Sequence, residues 1–229
     1  MKTLGLIGGI SWVSTVDYYK YINEGINAKL GGSEFARLII HSLNYGEVRR
    51  NNENDRWDLT LKMLVDAALN MKAGGAQVLV LCANTMHRLA NEVEQQSGLP
   101  VIHIAKETAA VIAQQQLKKV ALLGTKFTME MDFFHSKLAE RGIEAIIPGD
   151  DDRAFIHHTI FEELGSGILL PETKARYQRI IADLQQRGAQ GVILGCTEIP
   201  LLIHPGDVDL PTFDTTKIHA DAAVRFALS

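Results

Sequence analysis

The chain predicts an α/β fold of two pseudo-symmetric domains, each a parallel sheet flanked by helices, with the active site expected in the cleft between them. Three observations predict it. First, Gly75-Ala76-Gln77-Val78-Leu79-Val80-Leu81-Cys82-Ala83-Asn84 recurs as Gly188-Ala189-Gln190-Gly191-Val192-Ile193-Leu194-Gly195-Cys196-Thr197, an offset of 188 − 75 = 113. Leu6-Ile7-Gly8-Gly9 likewise resembles Leu122-Leu123-Gly124-Thr125 at offset 116, and Leu99-Pro100 resembles Leu210-Pro211 at offset 111. Small, ordered changes of offset are what loop insertions leave in a duplicated unit. Second, apolar runs of four to six residues alternate with longer segments of helical period, the pattern of a parallel sheet covered by helices. Third, 229 residues at 46% hydrophobic and 22% charged can bury a substantial core without disulfides or metal.

The first half reads strand 3–8, helix 12–30 ending at Gly31, strand 36–41, helix 55–73 ending at Gly74, strand 77–82, helix 86–96 and strand 100–104. In the helix from Asp55, Leu64, Ala67, Ala68 and Met71 form an apolar stripe, and Gly74 suits a left-handed terminus. The second half reads strand 119–124, helix 128–141 ending at Gly142, strand 143–147, helices near 152–164 and 172–187, and strands 190–195 and 210–213. A final helix covers 215–228. The domains are expected over 1–104 plus 215–229 and over 105–214, with ordered crossings because no low-complexity linker separates them.

A net charge of −4 and a pI near 6.1 supply no basic surface, which excludes nucleic acid as a partner class. Met1-Lys2-Thr3 leads straight into a strand, with no signal-like or membrane-spanning segment, so a cytoplasmic protein without a membrane partner is expected. Two cysteines in such a chain read as free thiols. No His, Cys and carboxylate cluster has metal-ligand spacing, and no metal is expected. The sequence leaves a homodimer open.

Parallel sheets bind ligands beyond the carboxyl ends of their strands. Four such ends carry small polar turns: Gly8-Gly9-Ile10-Ser11, Ala83-Asn84-Thr85, Gly124-Thr125-Lys126 and Cys196-Thr197-Glu198. Their amides and hydroxyls suit a carboxylate. The first turn lacks G-x-G-x-x-G spacing, and no acidic residue ends the second strand, which removes the dinucleotide reading. Cys196 follows an apolar strand among backbone donors, whose dipoles are expected to favour the thiolate, the form that acts as base or nucleophile. Cys82 lies one residue out of register with it, since the offset of 113 pairs Ala83 with Cys196. Along a strand one residue reverses the face, so Cys82 is expected to pack under a helix, although it stays the second acid/base candidate. His87 is expected to border the cleft. Arg49-Arg50 in the polar loop 42–54, with Asn52, are candidates for a mobile clamp on the substrate.

Leu6-Ile7-Gly8-Gly9-Ile10-Ser11-Trp12, Cys82-Ala83-Asn84-Thr85-Met86-His87 and Gly195-Cys196-Thr197-Glu198 together resemble the aspartate/glutamate racemase family over essentially the whole chain. The resemblance implies an isomerase that needs no cofactor, pyridoxal phosphate included, and that moves a proton at the α-carbon of a small acidic amino acid. It implies Cys196 as one acid/base and Ile10, Ser11, Arg49, Asn52, Ala83, Asn84, Thr85, Thr125, Thr197 and Glu198 around the substrate. Two positions depart from the pattern. The family's first catalytic thiol directly precedes Asn-Thr, where this chain has Ala83, and a cation that some members use is replaced by Gly165. One-thiol chemistry such as decarboxylation, and non-catalytic binding of acidic metabolites, are the alternatives.

Overall fold

The computed structural model describes all 229 residues. Strands β1 (Leu4–Gly8), β2 (Leu38–Ser42), β3 (Val78–Leu81) and β4 (Val101–Ile102) form a four-stranded parallel sheet in the order β2-β1-β3-β4. Strands β5 (Lys119–Gly124), β6 (Glu144–Ile146), β7 (Val192–Gly195) and β8 (Thr212–Asp214) form a second, in the order β6-β5-β7-β8. The pairing registers carry the sequence repeat. Gly5 faces Leu79 where Ala121 faces Val192, which gives 121 − 5 = 116 and 192 − 79 = 113. Leu79 faces Val101 where Val192 faces Thr212, which gives 212 − 101 = 111.

The compact units are Met1–His103 with His219–Ser229, and Ile104–Ile218. The second crossing falls inside the last helix, Thr215–Leu228, four residues beyond the start expected for it. Several boundaries move for local reasons. Strand 100–104 shortens to two residues because the helix Ile104–Gln114 starts at once. The expected loop 42–54 contains the helix Tyr45–Glu53, capped by Asn44, whose side chain accepts from the Gly46 amide at 2.9 Å. The helix expected from residue 86 begins as a tight 3₁₀ segment, Asn84–Leu89, and continues as Ala90–Ser97. Helix 128–141 is two pieces, Lys126–Glu130 and Asp132–Ala139, broken at extended Met131. After the helix Trp57–Ala73 the left-handed residue is Gly75, at φ 93°, while Gly74 stays helical.

Both sheets are covered on both faces, which is why their strands read as continuous apolar runs. In the first unit Leu4, Leu6, Val78, Val80 and Cys82 pack against Tyr18, Ile22 and Ile26 of the helix Trp12–Leu30 and against Ala220, Ala223 and Val224 of the last helix. In the second, Ala121, Leu123, Val192 and Leu194 face the helices Asp150–Glu162 and Pro171–Gln186. Val120, Leu122, Ile193 and Phe213 face Ile104–Gln114 and Asp132–Ala139. Each fully buried Leu, Ile or Val contributes about 1.5–3 kcal/mol by leaving water. No helix is long and apolar enough to cross a membrane.

Gly9 has φ 81°, and a methyl group there would lie 2.1 Å from the Leu43 carbonyl oxygen. Gly206 has φ 94° with open space around it. Gly9→Ala should therefore lose about 2–4 kcal/mol, strain plus overpacking, and Gly206→Ala only about 1 kcal/mol. Urea midpoints of the two variants check the difference.

Candidate active site

In the second unit the site begins with two glycines. Gly124 and Gly195 are paired across β5 and β7. A methyl on Gly195 would stand 2.7 Å from the Leu123 carbonyl oxygen and one on Gly124 2.9 Å from the Gly195 oxygen, and each would press the Thr128 side chain. Bare backbone lets the buried Thr128 cover both strands, and the next residues, Thr125 and Cys196, leave neighbouring strands about 4.8 Å apart. Thr125 caps the helix that follows, its hydroxyl accepting from the Thr128 amide at 3.4 Å.

Cys196 is half-buried, packed on the face that carries Val192 and Leu194. Its thiol donates to Glu198 Oε2 at 2.8 Å, and the Thr197 hydroxyl donates to the same oxygen at 2.7 Å. Glu198 is only 7% exposed. Burial pushes the Cys196 thiol well above its ordinary value, the Glu198 charge and the hydrogen bond to it push further, and the amides of Thr197 and Glu198 pull weakly the other way. The dipoles expected to favour the thiolate are thus present but outweighed: partial charges on two amides oppose a full charge and desolvation together. The thiol is the donor of this pair. Sequence reasoning missed Tyr177, which lies 19 positions upstream on a helix with no motif to mark it. Its phenol bonds the Thr159 hydroxyl at 3.0 Å and is held protonated by burial, with the nearby Cys196 adding to the effect.

In the first unit Ala83 is extended, at φ −153° and ψ 135°, so it continues the alternation of β3. Ala83 is half-buried at the strand exit, followed by buried Asn84 and half-buried Thr85. Cys82 points the other way, into the packing of Val78 and Val80. It is 1% exposed, its thiol approaches only the Val80 carbonyl at 3.7 Å, and burial raises it far above the ordinary thiol range. At the exit of β1, the Gly9 amide donates to the Thr15 hydroxyl at 2.9 Å. Ile10 is buried, and Ser11 sits at φ 69°, an uncommon conformation for a side-chain-bearing residue, where it caps the helix Trp12–Leu30.

The segment expected as a mobile loop is helical. Arg49 lies on the helix Tyr45–Glu53 and pairs one turn on with Glu53 at 2.7 Å, and Asn52 accepts from the Thr60 hydroxyl at 2.8 Å. Helical spacing, which a polar composition conceals, brings Arg49 and Glu53 together.

Three histidines from distant segments meet inside the first unit. The ring of His87 stands 5.0 Å from that of His103 and 5.1 Å from that of His219, between centroids. His219 Nε2 faces the Ile102 carbonyl at 2.7 Å, and its Nδ1 accepts from the Tyr18 hydroxyl at 2.8 Å. No group of His, Cys, Asp or Glu side chains is arranged to hold a metal ion.

The model of the Asp/Glu/Hydantoin racemase family matches residues 7–223. The chain belongs to that family. The solved structure of a provisionally assigned Asp/Glu racemase from Yersinia pestis shares 45% identity with it over the whole of both chains, at a TM-score of 0.95. An aspartate racemase homologue from Pyrococcus horikoshii shares 36%, again over the whole of both, at 0.88. The broad specificity amino-acid racemase RacX of Bacillus subtilis is 24% identical over 168 residues, 73% of this chain and 72% of its own.

Two outcomes follow from these environments. Burial lowers His219 to about 4. The unfolded chain therefore binds more protons between about pH 6.5 and 4, so stability falls by about 3 kcal/mol as pH drops through that window. Thermal melting across this range should show the loss, and His219→Gln should reduce it without removing it, because burial also holds His87 well below its ordinary value. A small alkylating reagent at pH 7 should modify Cys196 slowly and Cys82 only on unfolding, with the Cys196 rate climbing at alkaline pH. Glu198→Gln should speed Cys196 modification at pH 7, because the opposing charge is gone. Mass spectrometry of the labelled peptides measures both.

Proposed function

We propose that this chain is a racemase of aspartate, glutamate or a similar small acidic amino acid, working without pyridoxal phosphate or metal in a reducing compartment such as the cytoplasm. The observation that carries this reading is the Cys196 thiol donating to the buried Glu198 carboxylate at 2.8 Å. A thiol so paired becomes a base when its proton moves to Glu198. The thiolate then takes the α-proton: the Cα–H bond breaks, an S–H bond forms, and the electron pair passes into the substrate carboxylate as an enediolate. Donors that hold this charge lower the barrier, and Ser11, Asn84, Thr85, Thr125 and Thr197 supply the hydroxyls, amide and turn backbone for it. Ile10 and Ala83 shape the walls, while Arg49 and Asn52 serve substrate binding only if they leave Glu53 and Thr60. Glu198 acts on the substrate through the thiol.

Inversion needs a second proton on the other face of the carbon. Strand register makes Ala83 the counterpart of Cys196, and its methyl carries no exchangeable proton, so water delivers this one, and the hydroxide left behind takes the proton that Glu198 accepted. One-thiol decarboxylation of an activated dicarboxylate is the second reading, favoured by that same alanine.

In heavy water, aspartate or glutamate should gain α-deuterium in both recovered substrate and product. Cys196→Ala should abolish exchange, and Glu198→Gln should slow it by about 10²–10⁴-fold while its thiol alkylates faster. Ala83→Cys should raise racemisation, followed by circular dichroism, and Cys82→Ala should leave it within about twofold of wild type. Label confined to product would favour the lyase, and no label at all would leave only a binder.

A further inference from the structure

We infer that His87 is a positioning residue for the turn Ala83–Thr85, holding two consecutive carbonyls of that turn from inside the core. The inference rests on the reading of this turn as part of the substrate site. His87 is 2% exposed, and its Nδ1 stands 3.1 Å from the Ala83 oxygen and 3.2 Å from the Asn84 oxygen. Carbonyls only accept, so Nδ1 carries the proton and donates to both.

The other ring nitrogen, Nε2, is buried with no hydrogen-bond partner in the protein. An apolar side chain would fill that space without burying a bare acceptor, so the use of histidine here lies in Nδ1. The ring is also fixed in place. His103 at the exit of β4 and His219 on the last helix pack against it, and His219 is itself tied to Tyr18 and to the Ile102 carbonyl. The turn therefore hangs on a side chain braced by three other segments, which presets its backbone before any ligand arrives. Preset donors are what a site for developing charge requires.

His87→Asn places an amide nitrogen near the position of Nδ1, whereas His87→Leu has no donor and His87→Gln carries its amide farther out. Amide hydrogen exchange of residues 83–87 needs no turnover to read. It should quicken by about tenfold in the Leu and Gln variants and stay within about twofold of wild type in Asn, as expected for local opening. KM for α-hydrogen exchange with aspartate should rise by about tenfold in the Leu and Gln variants, with kcat moving less, and recover in Asn. Alkylation of Cys196 should be unchanged in all three, which reports an intact second unit. If the Asn variant behaves like Leu, or if Leu alters neither the hydrogen exchange nor KM, His87 does not position the turn. Wild-type protein inactive on both aspartate and glutamate would sink the racemase reading alone, since the hydrogen-exchange comparison would still decide the role of His87.

Discussion

Side-chain parity at the end of a strand governs the chemistry open to this protein. β3 and β7 occupy equivalent places in their sheets, each paired to the central strand and to a short edge strand in the same register. That equivalence puts Cys196 and Ala83 on corresponding faces and turns Cys82 to the opposite one, where Val78 and Val80 enclose it. Moving Cys82 into service would take a one-residue slip of β3, and the same slip would turn Leu79 and Leu81, both fully buried, onto the wrong side. The core thus holds the second thiol on the face opposite the one where the proposed chemistry is placed, however close it lies in sequence.

The reactive group is likewise set by what surrounds it. Two amides near a thiol favour its ionisation, yet here burial first, and then the Glu198 charge two residues on, keep it protonated. The thiol donates to Glu198 over 2.8 Å, so in the proposed reaction the base forms by internal transfer rather than by loss of the proton to solvent. Such an arrangement keeps a strong base out of water until it is needed, which suits the weakly acidic α-proton of an amino acid carboxylate.

Much of this was legible in the sequence because the repeat is itself a record of strand register. The offsets 116, 113 and 111 return as strand pairings, and both sheets and the exits carrying Ala83 and Cys196 follow from them. What stayed hidden depends on approach through space. Residues 45–53 read as a loop because their polar run shows no apolar stripe, and only Val48 is buried in the helix they form. Glu198 read as a ligand for substrate because nothing in a Cys-Thr-Glu string says that the short turn folds the carboxylate back onto the thiol. Tyr18, His87, His103 and His219 come from four separate segments with no shared motif, and packing alone unites them.

The first unit is discontinuous, and this bears on how the chain comes off the ribosome. Leu4, Leu6, Val78 and Val80 are covered in part by Ala220, Ala223, Val224 and Ala227, which are translated only after residues 104–218. At about 5–20 residues per second, synthesis of residues 104–218 leaves that face bare for roughly 6–23 s. The second unit, whose sequence is continuous, can close meanwhile. A chain ending at residue 218 would then carry one finished unit and one open apolar face, the kind of surface that chaperones hold.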